Sequence, residues 1–181
     1  WSITNQFLEF AMRSSVRTHA LFITEGPKLD DPDLVRLGAG HFSGGCAPCH
    51  GAPGTSRGPI YLRMLPPPTD LAAAVMTWTP QELFWIVKHG IKYSGMPAWV
   101  GLRRDDEVWA VVAFLRVLAQ ITPDQYLALA VSTAEEPDQP AVEIVRDGIP
   151  QQALTACARC HSDDRSVSRS RLVPSLAGQD S

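Results

Sequence analysis

Apolar residues recur at helical spacing along most of the chain, and nowhere do they alternate in the manner of a strand. Residues 1–24, WSITNQFLEFAMRSSVRTHALFIT, predict a helix with Phe7, Leu8, Phe10, Ala11 and Met12 among its apolar positions; EGPKLDDPD (25–33) breaks it. A second helix is expected over LVRLGAGHFSGG (34–45), stopped by its two glycines. Residues 51–70 are rich in Gly and Pro, end in LPPPTD, and read as irregular loop. TPQELFWIVKHG carries complete helix punctuation: Thr79 as N-cap, Pro80 at N1, Glu82 at N3 closing a capping box, and Gly90 as the stop. YSGMPAWVG (93–101) is a loop. DDEVWAVVAFLRVLAQ (105–120) is a helix with an acidic first turn and a broad apolar face of Val108, Trp109, Val111, Val112, Leu115 and Leu118. A short further helix begins at TPDQYLALA, with Thr122 and Pro123 at the cap and N1. STAEEPDQPA (132–141) is a linker by composition, and the short helix AVEIVRDG follows it. The predicted fold class is mostly α.

With 181 residues, 45% hydrophobic and 19% charged, the chain can bury one ordinary core or two small ones. A net charge of −3 provides no electrostatic case for a nucleic-acid partner. No apolar run is long enough to cross a bilayer. The first residue is Trp1 rather than Met, so a segment is expected to have been removed from the front, and a membrane anchor outside these residues is compatible with the sequence.

All four cysteines fall in two copies of one unit, CAPCH at 46–50 and CARCH at 157–161. Two thiols at Cys-x-x-Cys spacing can add to the two vinyl groups of a haem, and the adjacent His reaches the iron from one face. Two alternatives use the same cysteines. The pairs together make four ligands for zinc, and one pair alone makes a thioredoxin-like dithiol. Neither requires a His after each pair, and both copies have one. Haem attachment is therefore the expectation at Cys46, Cys49 and His50, and again at Cys157, Cys160 and His161.

The first of these sites has a candidate second half. Met96 lies in the turn SGMPAW between two well-marked helices. Its thioether is a soft ligand suited to haem iron, and His/Met ligation raises the reduction potential. A Gly-Met-Pro turn is poor core architecture, which favours Met96 as the iron ligand; Met12, Met64 and Met76 have core filling as their ordinary role, although Met64 and Met76 fall in the same stretch that would enclose the haem.

Taken together, CAPCHGAPG with its Pro-rich loop, FWIVKHGIKYSGMPAW and DDEVWAVVAFLRVL resemble the class I cytochrome c family over about residues 34–122. The second copy, GIPQQALTACARCH with VPSLAGQ, is similar to the opening half of another such domain. The resemblance implies a two-domain dihaem cytochrome. Its parts would be an N-terminal helix and linker (1–33), a first domain (34–131), a linker (132–141) and the N-terminal part of a second domain (142–181). It implies that Cys46, Cys49, Cys157 and Cys160 carry thioether links to haem c, that His50 and Met96 hold the first iron, and that His161 binds the second. In that family a proline carbonyl after the motif holds the ligand His through its Nδ1–H. Pro174 matches in the second copy; Pro66, Pro67 and Pro68 all qualify in the first.

The implied function is one-electron transfer in a bacterial periplasmic or membrane-associated redox chain, with redox proteins as partners. The rival is a haem enzyme or enzyme subunit, such as a dihaem peroxidase or the cytochrome subunit of a dehydrogenase; a zinc-stabilised interaction module is a third reading. His19, His41 and His89 are expected to be ordinary histidines, and Trp85, Trp99 and Trp109 to pack on the core or the porphyrin. Lys88, Lys92, Arg103 and Arg104 flank the Met96 turn, either as a docking ring or as a solvated face. After His161 come twenty residues without Met, His or Lys, so an incomplete second domain is expected.

Overall fold

A computed structural model describes residues 2–24 and 26–130, together with His161 and Val173. Among these residues there are helices and loops but no strand; an isolated bridge pairs Ala52 with Thr55. The helices are α1 (Ser2–Ala20), α2 (Pro32–Gly45), α3 (Ala47–His50), α4 (Leu71–Ala74), α5 (Pro80–His89), α6 (Asp105–Val117) and α7 (Pro123–Ala130). The expected linker at 132–141 and the second copy at 142–181 lie outside the described residues, apart from His161 and Val173.

The helix ends follow their capping chemistry. Thr79 Oγ1 accepts from Glu82 N–H and Glu82 Oε2 accepts from Thr79 N–H, which closes the expected capping box on α5. Thr122 and Gln125 make the same reciprocal pair at the start of α7. One boundary differs from expectation. Asp31-Pro32-Asp33 starts α2 rather than breaking the chain: the Asp31 carboxylate accepts from Asp33 N–H at 2.9 Å, and Pro32 sits where a missing N–H costs nothing. Asp70 caps the one-turn helix α4 in the same way, and a 3₁₀ turn at Val75–Thr77 follows it.

The core is the crossing of α2 with α6. Every residue from Val108 to Leu115 is buried, so α6 is enclosed on all sides, with α2, α5 and α7 around it. Phe42 of α2 meets Phe114 of α6 at 5.0 Å between ring centres, and Tyr126 of α7 closes the group edge-on to Phe42. Phe42 and Phe114 are wholly buried, and each contributes about 2–3 kcal/mol in removed apolar surface. Gly38 permits the close approach of the two helices. A Cβ at that position would collide with the backbone carbonyl of Ala110.

Helix α1 packs on α5 through Val16 and Ala20, with His19 stacked on Trp85 at 4.4 Å and Arg17 paired to Glu82. The apolar residues that mark this helix in sequence lie largely elsewhere. Phe7, Leu8 and Phe10 are exposed, away from the buried Val16 and Ala20.

Candidate functional site

The α2 helix runs directly into the first Cys-x-x-Cys-His unit. Cys46 N–H donates to Phe42 O and so ends α2, and α3 is the single turn Ala47–His50. Cys49 N–H and His50 N–H both donate back to Cys46 O, at 3.1 and 2.9 Å. Gly51, at φ 75°, turns the chain away after His50, a backbone region that glycine enters without strain. Both cysteines are half-buried and are not joined to each other by a disulfide. Burial, with Cys49 second, pushes the Cys46 thiol up to about 11. A dithiol oxidoreductase depends on the opposite shift, toward a reactive thiolate.

His50 donates Nδ1–H to the carbonyl oxygen of Thr69 at 2.9 Å. A carbonyl can only accept, so the bond assigns the proton to Nδ1 and leaves the Nε2 lone pair for a metal. The expectation that Pro66, Pro67 or Pro68 supplies this carbonyl is corrected by one residue. Pro68 O is engaged by the Arg57 guanidinium at 2.8 Å, and the next carbonyl along, that of Thr69, faces the imidazole. Pro174, the corresponding residue of the second copy, lies outside the described residues.

Met96 lies on a separate segment, the loop joining α5 to α6. The base of that loop is closed by backbone bonds: Ile91 N–H donates to Met96 O at 3.3 Å, and Trp99 N–H donates to Lys88 O at 3.0 Å. Ser94 ties the tip together, donating Oγ–H to Ile91 O at 2.7 Å and accepting from Met96 N–H at 3.2 Å. Gly90 is required at the base, because its φ is 67° and a Cβ would stand 2.6 Å from Met96 O. The methyl group of Met64 occupies the place a Cβ on Gly95 would take, so a second thioether adjoins the same loop.

The remaining sequence-marked residues take structural positions. Trp109 is buried against Phe84 at 4.5 Å. The half-buried Trp85 stacks with His19 and meets His89 at a tilt, and His19 Nδ1 is bonded to Ser15 O. His41 meets Trp99 edge-on at 5.4 Å. Lys88 pairs with Asp105 at 2.6 Å and Arg104 with Asp106 and Glu107 at 2.9 Å, so two of the four flanking cations are committed to the fold. Lys92 and Arg103 are exposed. Thr69, Ser94 and Glu107 were not singled out from sequence, because a backbone carbonyl and two common polar side chains carry no signature of their own.

The donor set suits a haem. A His with its tautomer assigned follows two thiols on one turn, a thioether lies on the loop between α5 and α6, and Ile60, Leu62 and Leu65, between the two in sequence, expose apolar side chains. Among the described residues, no group of three or more His, Cys, Asp or Glu is placed to hold a metal ion by itself.

Residues 33–115 match the family model for cytochrome C oxidase, cbb3-type, subunit III. No curated protein and no solved structure matches the chain. The matched stretch runs from the first turn of α2 into α6 and includes CAPCH and Met96. The match supports a c-type cytochrome domain over this stretch, consistent with its helical fold, and hence a haem-based electron-transfer unit for which covalently bound haem c and its iron are implied.

Proposed function

We propose that the protein is a dihaem electron carrier, with haem c on Cys46 and Cys49 in the first domain and on Cys157 and Cys160 in the second. His50 and Met96 would hold the first iron from opposite sides, and His161 would bind the second. When bound, the haem supplies a one-electron couple. The chain's own residues bind it, assign the His50 proton to Nδ1, exclude water with the α2, α5 and α6 core, and hold the Met96 loop closed. The observation that carries the reading is the Nδ1–H bond from His50 to Thr69 O, which frees Nε2 one residue after the second thiol of the pair.

The domain division at 34–131 and 142–181 is part of this proposal. So is a periplasmic setting, or a membrane-associated one, since haem attachment in cytochromes of this kind takes place outside the bacterial cytoplasm. Among the described residues no helix is long and apolar enough to cross a membrane. The family description, that of an oxidase subunit, supports the further reading that the carrier works beside or within a membrane oxidoreductase and hands electrons to a protein partner.

Mass spectrometry under denaturing conditions tests the proposal. The expected increment over the polypeptide is two haems, reduced to one by Cys46→Ala with Cys49→Ala. An increment of a single haem in the wild type, removed entirely by that double variant, would restrict the function to the first site.

A further inference from the structure

The loop that presents Met96 is held by more than its own backbone. Trp99, three residues on, inserts between α2 and α6: its ring meets His41 of α2 at 5.4 Å, and its indole Nε1–H donates to Glu107 Oε2 of α6 at 3.0 Å. Glu107 is held in turn, its Oε1 lying 2.9 Å from the Arg104 guanidinium. The carboxylate is mostly shielded, at 16% side-chain exposure, so its hydrogen bond is little weakened by water. The Trp99 main-chain N–H is bonded to Lys88 O at the end of α5. One residue thus ties the Met96 loop to three helices, to α2 and α6 through its side chain and to α5 through its main chain.

We propose that Trp99 and Glu107 are positioning residues for Met96: the indole–carboxylate bond keeps the loop down and sets how readily the thioether leaves the iron. The proposal rests on Met96 being the iron ligand. A hydrogen bond to a charged acceptor is stronger than a neutral one, and losing it should raise the rate of loop opening about tenfold.

Imidazole displacement of the thioether measures this. The ferric holoprotein is mixed with rising imidazole, and the decay of the thioether-to-iron charge-transfer band is followed. Only a Met-ligated haem has that band, so other haem in the molecule does not interfere. At saturating imidazole the rate becomes the opening rate of the loop.

Trp99→Phe, which keeps the ring and removes the N–H, and Glu107→Ala should each raise that plateau about tenfold. Glu107→Gln, which keeps an acceptor oxygen but not its charge, should give a rate between the wild type and Glu107→Ala. A wild-type plateau in Trp99→Phe overturns the proposal, since ring packing alone would then hold the loop. Met96→Ala separates the two ideas. If the band survives that substitution, the ligand assignment itself fails; if it vanishes while Trp99→Phe behaves as wild type, only the clamp fails.

Discussion

At the scale of single residues, the site depends on which atom of each side chain is left available. His50 has one nitrogen committed to Thr69 O, and its other nitrogen is the one suited to iron. Met96 has its backbone N–H and carbonyl both bonded within the loop, so the loop holds its main chain, and the proposed role as ligand falls to the sulfur alone. Met96→Ala should leave haem attached, because the thioether links are elsewhere, but convert the first iron to a high-spin or water-ligated form of markedly lower potential. Optical spectra with a redox titration read both effects, and an unchanged first haem would exclude Met96 as ligand. His41 supports a prediction on pH. Burial holds its imidazole below the ordinary 6.5, with Glu107 opposing more weakly. The folded state therefore prefers the neutral ring, so this contribution to stability is complete above 6.5 and declines as the pH falls below it. Denaturant midpoints at pH 7 and pH 5 should differ in the wild type and differ less in His41→Gln; an equal difference in the two proteins would assign the loss to other groups.

At the scale of elements, the crossing of α2 and α6 fixes where α3 begins, and hence where Cys46, Cys49 and His50 stand relative to the Met96 loop. That crossing depends on Gly38, whose missing side chain allows the Ala110 carbonyl to approach. Gly38→Ala should cost about 3 kcal/mol or more, since the obstructing atom is backbone and cannot move aside as a side chain would. Urea denaturation of the holoprotein measures it, and a loss below about 0.5 kcal/mol, within the range of ordinary surface substitutions, would show that the two helices can separate without strain.

At the scale of the whole molecule, the question is how an electron partner finds the site. Four cations flank the Met96 loop in sequence, but Lys88 and Arg104 are held by Asp105, Asp106 and Glu107. The charge available for docking there is that of Lys92 and Arg103, both exposed. Replacing both with Glu should slow bimolecular electron transfer from an anionic partner about tenfold at low ionic strength, an effect fading as salt shortens the reach of surface charge to about 10 Å at 0.1 M. Stopped-flow rates across a salt series check this; salt-independent rates in both proteins would make these residues ordinary solvated surface.

Helix identity is legible in the sequence because capping is local. The Thr79 and Thr122 caps, the Pro residues after them and the apolar run of α6 each act within a few residues, and each appears where its side chains dictate. The Cys-x-x-Cys-His unit is visible in the sequence for the same reason, being five contiguous residues on one turn. The start of α2 was missed because Asp31-Pro32-Asp33 can equally break a helix or begin one, and packing of Val35, Ala39 and Phe42 on α6 decides which. Only the tertiary structure could choose Thr69 as the partner of His50, since every residue has a carbonyl and nothing in a side chain states where it faces. The same holds for Trp99 and Glu107, eight positions apart on different segments, whose hydrogen bond exists because the loop returns to the head of α6. Local chemistry determined the elements and the Cys-x-x-Cys-His turn, whereas contacts between separate segments determined which backbone and side-chain atoms surround the candidate site.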